Sequence, residues 1–312
     1  MSWLLVILGL ALLVFGGDLL IRGSVSIAAR LGVSKALIGV VLLGFGTSMP
    51  EFVATFGAAA KGSSDVAFGN VLGSNIANVL MILGASALIL PIATQVRELR
   101  RDIGFVLLSS VGCFAWIVLG GLPVWGAAVL LAAFALYMTL TIRADLALPE
   151  DDNIAPATAS VALSLFLVVA GIALLVGGAE ALIRGASAIA RGFGVSEALI
   201  GLTIVGIGTS LPEASASIIA SFKRENQLAF ANIVGSNIFN GLAILGVTGL
   251  VFPLSFDVGA AGFSVIDGGV LLVATVLMFV FATTRKQVAR WEGAVMLLGY
   301  LAYLGWLVSR AI

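Results

Sequence analysis

The sequence predicts an all-α integral membrane protein of ten transmembrane helices, built as two inverted five-helix repeats with both termini outside. Three observations predict it. Of 312 residues, 61% are hydrophobic and 10% charged, more apolar surface than a soluble domain of this size can bury. The block G-F-G-T-S-M-P-E at Gly44 to Glu51 returns as G-I-G-T-S-L-P-E at Gly206 to Glu213. A second block, G-S-N-I-A-N at Gly73 to Asn78, returns as G-S-N-I-F-N at Gly235 to Asn240, and the interval along the chain is the same for both returns. A shared offset for two separated motifs means that a whole unit is duplicated.

Apolar segments long enough to span a bilayer fall at 3–21, 36–60, 66–91, 103–120, 123–142, 161–183, 198–222, 227–253, 264–283 and 291–309. The first and sixth extend past the membrane surface, to about 30 and 190. The polar stretch 143–160 divides the chain into a first repeat, 1–142, a linker, and a second repeat, 161–312. The halves match beyond the motifs: Asp18 with Glu180, Arg22 with Arg184, and Ser34-x-Ala36-Leu37-Ile38-Gly39 with Ser196-x-Ala198-Leu199-Ile200-Gly201. Five helices is an odd number, so the second half enters the membrane from the opposite side, an arrangement common among secondary transporters. The N-terminal M-S-W-L-L-V-I-L-G-L has neither a basic n-region nor a small-residue cleavage site, and reads as an uncleaved first helix.

Lys and Arg set the orientation. Arg22, Arg30, Lys35, Arg97, Arg100, Arg101, Arg143, Lys223, Arg224, Arg285, Lys286 and Arg290 flank the spans on one side. Lys61, Arg184, Arg191 and Arg310 flank them on the other. Twelve against four places the 143–160 linker in the cytoplasm. The membrane is then an inner or plasma membrane crossed many times.

Composition also excludes functions. Equal numbers of basic and acidic residues offer no nucleic-acid partner. No His is present, which removes the commonest general base and the commonest ligand for zinc, copper or iron. The single Cys113 excludes an intramolecular disulfide. Nothing calls for a cofactor.

Glu51 and Glu213 lie inside apolar runs, where a carboxylate is costly and functional by default. Pro50 and Pro212 precede them and leave the carbonyls of Gly46 and Gly208 without their helical partners. Unpaired carbonyls at membrane depth require something to satisfy them, and a cation does. Thr47 and Glu51 are four residues apart and Ser48 and Glu51 three, so they share a helical face; Ser74 with Asn78 and Ser236 with Asn240 repeat the spacing of four. A pseudo-twofold axis brings Glu51 and Glu213 together near the midplane, with hydroxyls from Thr47, Ser48, Thr209, Ser210, Ser74 and Ser236 and two amides. All are oxygen donors, which suits hard cations such as Ca²⁺ and Na⁺. By contrast, Asp18 with Arg22 and Glu180 with Arg184 read as local i,i+4 ion pairs, and Glu150, Asp151 and Asp152 as a solvated loop.

At these residues the chain resembles the cation/Ca²⁺ exchanger superfamily, and within it the prokaryotic Na⁺/Ca²⁺ exchangers. The two G-x-G-T-S-x-P-E…G-S-N-I-x-N blocks are similar to that family's α-repeats. The resemblance implies an antiporter that extrudes Ca²⁺ using inward Na⁺, and not an enzyme. Carried over by position, the family's Ca²⁺ ligands fall on Glu51, Glu213, Thr47 and Thr209. Its Na⁺ sites fall on the carbonyls of Gly44 and Gly206 with Ser48, Ser74, Ser210 and Ser236, sharing the glutamates. The middle polar position falls on Asn78 and Asn240, where Na⁺-type members often carry Asp in the second repeat. The H⁺/Ca²⁺ branch typically shows G-N-x-x-E instead. Rival readings are H⁺/Ca²⁺ exchange at the same site, a passive cation channel, and an intramembrane Glu-dependent hydrolase.

The topology yields the first prediction. In a Cys113→Ala background, cysteines at Gly62 and Asp257 react with an impermeant thiol reagent applied outside, and one at Asp152 reacts only from the cytoplasm. Outside labelling at position 152 in intact cells overturns the five-plus-five inversion.

Overall fold

A computed structural model describes residues 1–94, 96–147, 159–195, 200–256 and 264–311. The acidic stretch Glu150, Asp151 and Asp152, the residues Ser196, Ala198 and Leu199, and Asp257 lie outside the described residues. The described chain is almost entirely helical. We label its long helices α1 (Ser2–Leu31), α2 (Lys35–Thr47), α3 (Met49–Ala60), α4 (Ser64–Ile89), α5 (Val96–Leu119), α6 (Val124–Leu146), α7 (Val161–Gly192), α8 (Leu211–Phe222), α9 (Asn226–Val251), α10 (Val265–Thr284) and α11 (Arg290–Ala311). Eight of these are unbroken and long and apolar enough to cross a membrane, and α2 with α3 makes a ninth as a pair bent by 45°. The span expected at 198–222 is described as Gly201–Val205, Gly206–Gly208 and α8. Arg22 and Arg30, read as flanking a membrane surface, are carried on α1 itself, because that helix continues to Leu31.

Burial separates an inner from an outer set of helices. In α4 and α9, 72% and 89% of the apolar window is inside the protein, against 22–44% for the other unbroken spans. The G-S-N-I-x-N motifs therefore sit on the two central helices. The outer helices turn Leu, Val, Phe and Trp side chains outward, as a lipid-facing surface requires.

Two features fix how the halves meet. Four two-residue strands, β1 (Ile92–Ala93), β2 (Gly121–Leu122), β3 (Leu254–Ser255) and β4 (Gln287–Val288), pair antiparallel as β1 with β4 and β2 with β3. β1 and β2 lie at opposite ends of the 24-residue α5. The repeat offset makes β3 the equivalent of β1, yet β3 pairs at the β2 end. The second feature is the seam between α1 and α7. Gly9, Gly16 and Gly23 recur once per heptad, as do Gly171, Gly178 and Gly185. A methyl group on Gly16 would lie 2.9 Å from the Gly171 carbonyl oxygen, one on Gly178 2.9 Å from that of Gly9, and one on Gly23 2.8 Å from that of Ser164. Two antiparallel backbones thus touch along their length, an approach only residues without a Cβ permit. Ser26 and Ser164 add a 2.8 Å hydrogen bond across the seam.

The seam predicts a graded response. Gly16→Ala or Gly178→Ala forces the two backbones apart and lowers the melting temperature of the detergent-solubilised protein, at a cost of about 1–3 kcal/mol. Gly177→Ala, whose added methyl meets nothing within 4 Å, is neutral or mildly stabilising. Equal effects at positions 16 and 177 refute the close contact.

Candidate ion site

The duplicated P-E motifs sit where two helices are broken. Ser48 and Ser210 leave helical geometry (φ −82°, ψ 6° and φ −86°, ψ 7°), and helices restart at Met49 and Leu211 with Pro50 and Pro212 in the first turn. Proline belongs there, since the first-turn N–H has no helical partner to lose. Glu51 and Glu213 consequently lie in the first turn of α3 and α8, where the helix dipole favours negative charge. The sequence shows that the helix is disturbed at Pro; the structure adds that each carboxylate starts a new helix.

Each carboxylate is contacted from the other repeat. Ser48 Oγ donates to Glu213 Oε1 at 2.9 Å, and Ser210 Oγ makes a longer 3.5 Å contact to Glu51 Oε1. This crossing brings Glu51 and Glu213 into one site, and both are fully buried. Thr47 Oγ1 donates to its own Leu43 carbonyl at 2.9 Å and lies 3.5 Å from Ser236 Oγ. Ser236 Oγ lies 3.5 Å from the Gly44 carbonyl oxygen. Ser74, Asn78 and Asn240 are buried as well. The remaining two positions stand apart: Gly206 is exposed, and Thr209 is half-buried with its hydroxyl 3.4 Å from the Gly206 carbonyl.

The site is rich in polar atoms without partners. Oε2 of Glu51 and of Glu213, and both side-chain polar atoms of Asn78 and Asn240, are buried without a hydrogen-bond partner among the described residues. Among the described residues no Lys or Arg pairs with either glutamate. Two uncompensated buried carboxylates are expensive in a dry interior. A hard cation is the group that such a donor set can take. No cluster of three or more acidic, His or Cys side chains exists among the described residues, so hydroxyls, amides and carbonyls have to complete any coordination sphere.

Two structural features here had not been read from the sequence. Gly39–Gly44, Gly201–Val205, Ala77–Leu83 and Phe239–Ile244 are π-helical. Wider turns of this kind cluster at functional sites, and these carry Gly44, Asn78 and Asn240. Asn70 and Asn232 are the second. Asn232 Nδ2 donates to the Glu213 carbonyl at 3.3 Å and to Ser217 Oγ at 2.9 Å; Asn70 Nδ2 does the same to the Glu51 carbonyl at 3.4 Å and Thr55 Oγ1 at 3.0 Å. These amides fasten α3 to α4 and α8 to α9 just beyond the break. The signal was available, for the interval from Asn70 to Asn232 equals that from Glu51 to Glu213. Both expected local ion pairs form, Asp18 with Arg22 at 2.7 Å and Glu180 with Arg184.

Comparisons with known proteins bear on the family and the overall fold. The family profile described as sodium/calcium exchanger protein matches residues 1–143 and 163–309. CaxA of Alkalimonas amylolytica, described as a putative antiporter, is 36% identical over 309 residues, with 96% of each chain covered. The sodium/calcium exchanger MaX1 of Methanosarcina acetivorans is 28% identical, with 97% of each covered. Among solved structures, the sodium-calcium exchanger NCX_Mj soaked with Na⁺ and Sr²⁺ superposes with a TM-score of 0.84 at 31% identity, covering 97% of both chains.

The site predicts that Glu51→Gln and Glu213→Gln each remove half the available negative charge and lower Ca²⁺ affinity by roughly 100-fold or more, since unpairing a buried charge costs about 3–5 kcal/mol. Calorimetry on purified protein reads this directly. Wild-type affinity in both variants rules the site out.

Proposed function

The chain belongs to the sodium/calcium exchanger protein family, and on that premise we propose that it exchanges Ca²⁺ for Na⁺ across the membrane by alternating access at one site between its halves. One observation carries the reading: two fully buried carboxylates, cross-linked by Ser48 and Ser210, face one another's repeat with no cationic side chain on them among the described residues. Their summed charge balances one Ca²⁺ or two Na⁺, so the two ions compete for one electrostatic slot, as an antiporter requires. We assign Ca²⁺ to Glu51, Glu213, Thr47 and Thr209. Na⁺ goes to the carbonyls of Gly44 and Gly206 with Ser48, Ser74, Ser210 and Ser236, sharing the glutamates. Asn78 and Asn240 occupy the middle and add dipoles rather than charge. The names of MaX1 and NCX_Mj, which couple sodium with calcium, support the choice of ions.

The architecture in this reading is ten spans in two inverted repeats, 1–142 and 161–312, joined by a cytoplasmic linker at 143–160, with both termini outside. The strand pairing supports the inversion: β1 and its equivalent β3 lie at opposite ends of the bundle. The α1–α7 seam supports it too, because its glycine contacts exchange onto themselves under the same offset. Gly16 with Gly171 becomes Gly178 with Gly9. In such a transporter the ions stay at the repeat interface while one unit rocks or slides against the rest. The α1–α7 pair is the natural moving unit, held together by backbone contact and packed on the helices that carry the site.

The deciding measurement is radioactive calcium flux in proteoliposomes. Na⁺ loaded inside drives Ca²⁺ uptake, and a pH gradient in Na⁺-free buffer drives little. Robust uptake on the pH gradient assigns the coupling to H⁺ instead. Ca²⁺ leak that ignores ions on the opposite side indicates a channel.

A further inference from the structure

The α1–α7 pair is symmetric within itself but attached asymmetrically to everything around it. On α1, Asp18 pairs with Arg22 and also with Lys223, the residue that caps the C-terminal end of α8. The repeat offset turns Asp18 into Glu180 and Lys223 into Lys61, which caps the C-terminal end of α3. That second pair is not made: Glu180 pairs with Arg184 on its own helix, and Lys61 has no ion-pair partner among the described residues. The made pair is sheltered, with side chains 28% and 30% exposed, whereas Glu180 is 56% exposed.

Packing beside the ions follows the same division. Ile219 of α8 fills the space over Gly17 of α1, where a methyl group on the glycine would collide with it. The offset replaces the Ile219 knob by Gly57 of α3 and the Gly17 hole by Ala179 of α7, so this contact belongs to one side by sequence and has no counterpart to form on the other. Nearer the site, a methyl group on Gly44 would lie 3.0 Å from the Gly235 backbone, so α2 and α9 close on one another; the counterpart Gly73 faces open space. Beside its 2.9 Å bond to the Leu43 carbonyl, Thr47 Oγ1 lies 3.2 Å from Asn232 Oδ1, whereas Thr209 Oγ1 lies 3.4 Å from its own Gly206 carbonyl and makes no contact with Asn70 among the described residues. Three contacts with equivalent residues in the other half, Asp18–Lys223, Gly44–Gly235 and Thr47–Asn232, are therefore formed while their counterparts are unformed among the described residues.

From this, we propose that Asp18–Lys223 and Glu180–Lys61 are alternating ionic latches, the first holding one side of the ion path shut in the conformation seen here and the second holding the other side shut when α1–α7 has moved. The proposal rests on the antiport reading above and adds the residues that tie the moving pair to the site. The tie is direct: Glu213 lies in the first turn of α8 and Lys223 caps its far end, and Glu51 and Lys61 bracket α3 in the same way. A lysine at a helix C-terminus is also favoured by the helix dipole, so each latch can open and close without leaving a strongly disfavoured free cation.

Cross-linking tests it in a Cys113→Ala background reconstituted into liposomes. A short bifunctional thiol reagent captures Asp18→Cys with Lys223→Cys, and equally captures Glu180→Cys with Lys61→Cys, the second only if α7 reaches α3. Capture of the first pair alone, in protein that is monodisperse, overturns the proposal. The bands are read without any transport, so a chain that fails to exchange Na⁺ for Ca²⁺ loses the functional reading while still reporting on the latches. A kinetic arm separates a latch from a merely structural contact. Lys223→Gln and Lys61→Gln shift the KM for Ca²⁺ on a given face several-fold in opposite directions, and Lys→Arg at either position restores it. Shifts in the same direction, or none, count against the latches.

Discussion

The interaction on which this structure turns is the crossed contact of Ser48 with Glu213 and Ser210 with Glu51. Two carboxylates with no exposed surface would repel one another and lose their hydration together. Their surroundings soften that cost in steps. Each sits at a helix N-terminus, each has the serine of the other repeat beside it, and each has the backbone carbonyl of its own residue fastened by an Asn side chain from the neighbouring helix. What is left over, an unpartnered Oε2 on both residues among unpartnered amide oxygens, is the demand that a cation meets in the proposed exchange.

The surrounding helices divide their work in keeping with that demand. α4 and α9 are the most buried spans and carry Ser74 and Ser236 in regular helix, with Asn78 and Asn240 just beyond in widened π-helical turns. α1 and α7 contribute no proposed ligand. Their glycine seam binds them to each other through backbone contact, while their contacts elsewhere use side chains such as Ile172 over Gly46 and Ile183 over Gly208. Backbone-to-backbone packing is stiff and apolar side-chain packing is easier to re-form. A two-helix unit that slides as one body over the site is consistent with that contrast.

Much of this was legible in the chain. Composition required a membrane protein, two motifs recur at one offset, and a glutamate beside proline in an apolar run marked the candidate site whose buried carboxylates the fold brings together. The local ion pairs of Asp18 and Glu180 followed from i,i+4 spacing. Less visible were Asn70 and Asn232, because an Asn in an apolar run has an ordinary role as glue between helices until its partner is seen. The π-helical turns were invisible, since no residue type demands them; they arise where packing against a neighbouring helix and a freed carbonyl outweigh the regular hydrogen-bond ladder.

Which residues are equivalent can be read from the chain alone. Sequence identity at a fixed offset makes Thr47 and Thr209, Gly44 and Gly206, or Lys61 and Lys223 look interchangeable. That they differ in state is visible only once the helices are packed. Thr47 is buried and close to Asn232 while Thr209 is half-buried, and Lys223 holds Asp18 while Lys61 holds no acid among the described residues. The reason is geometric: equal sequence at a fixed offset does not specify how the helices are placed, and in the folded chain α1 meets Lys223 while α2 closes on α9 at Gly44 and Gly235 and leaves Gly73 open.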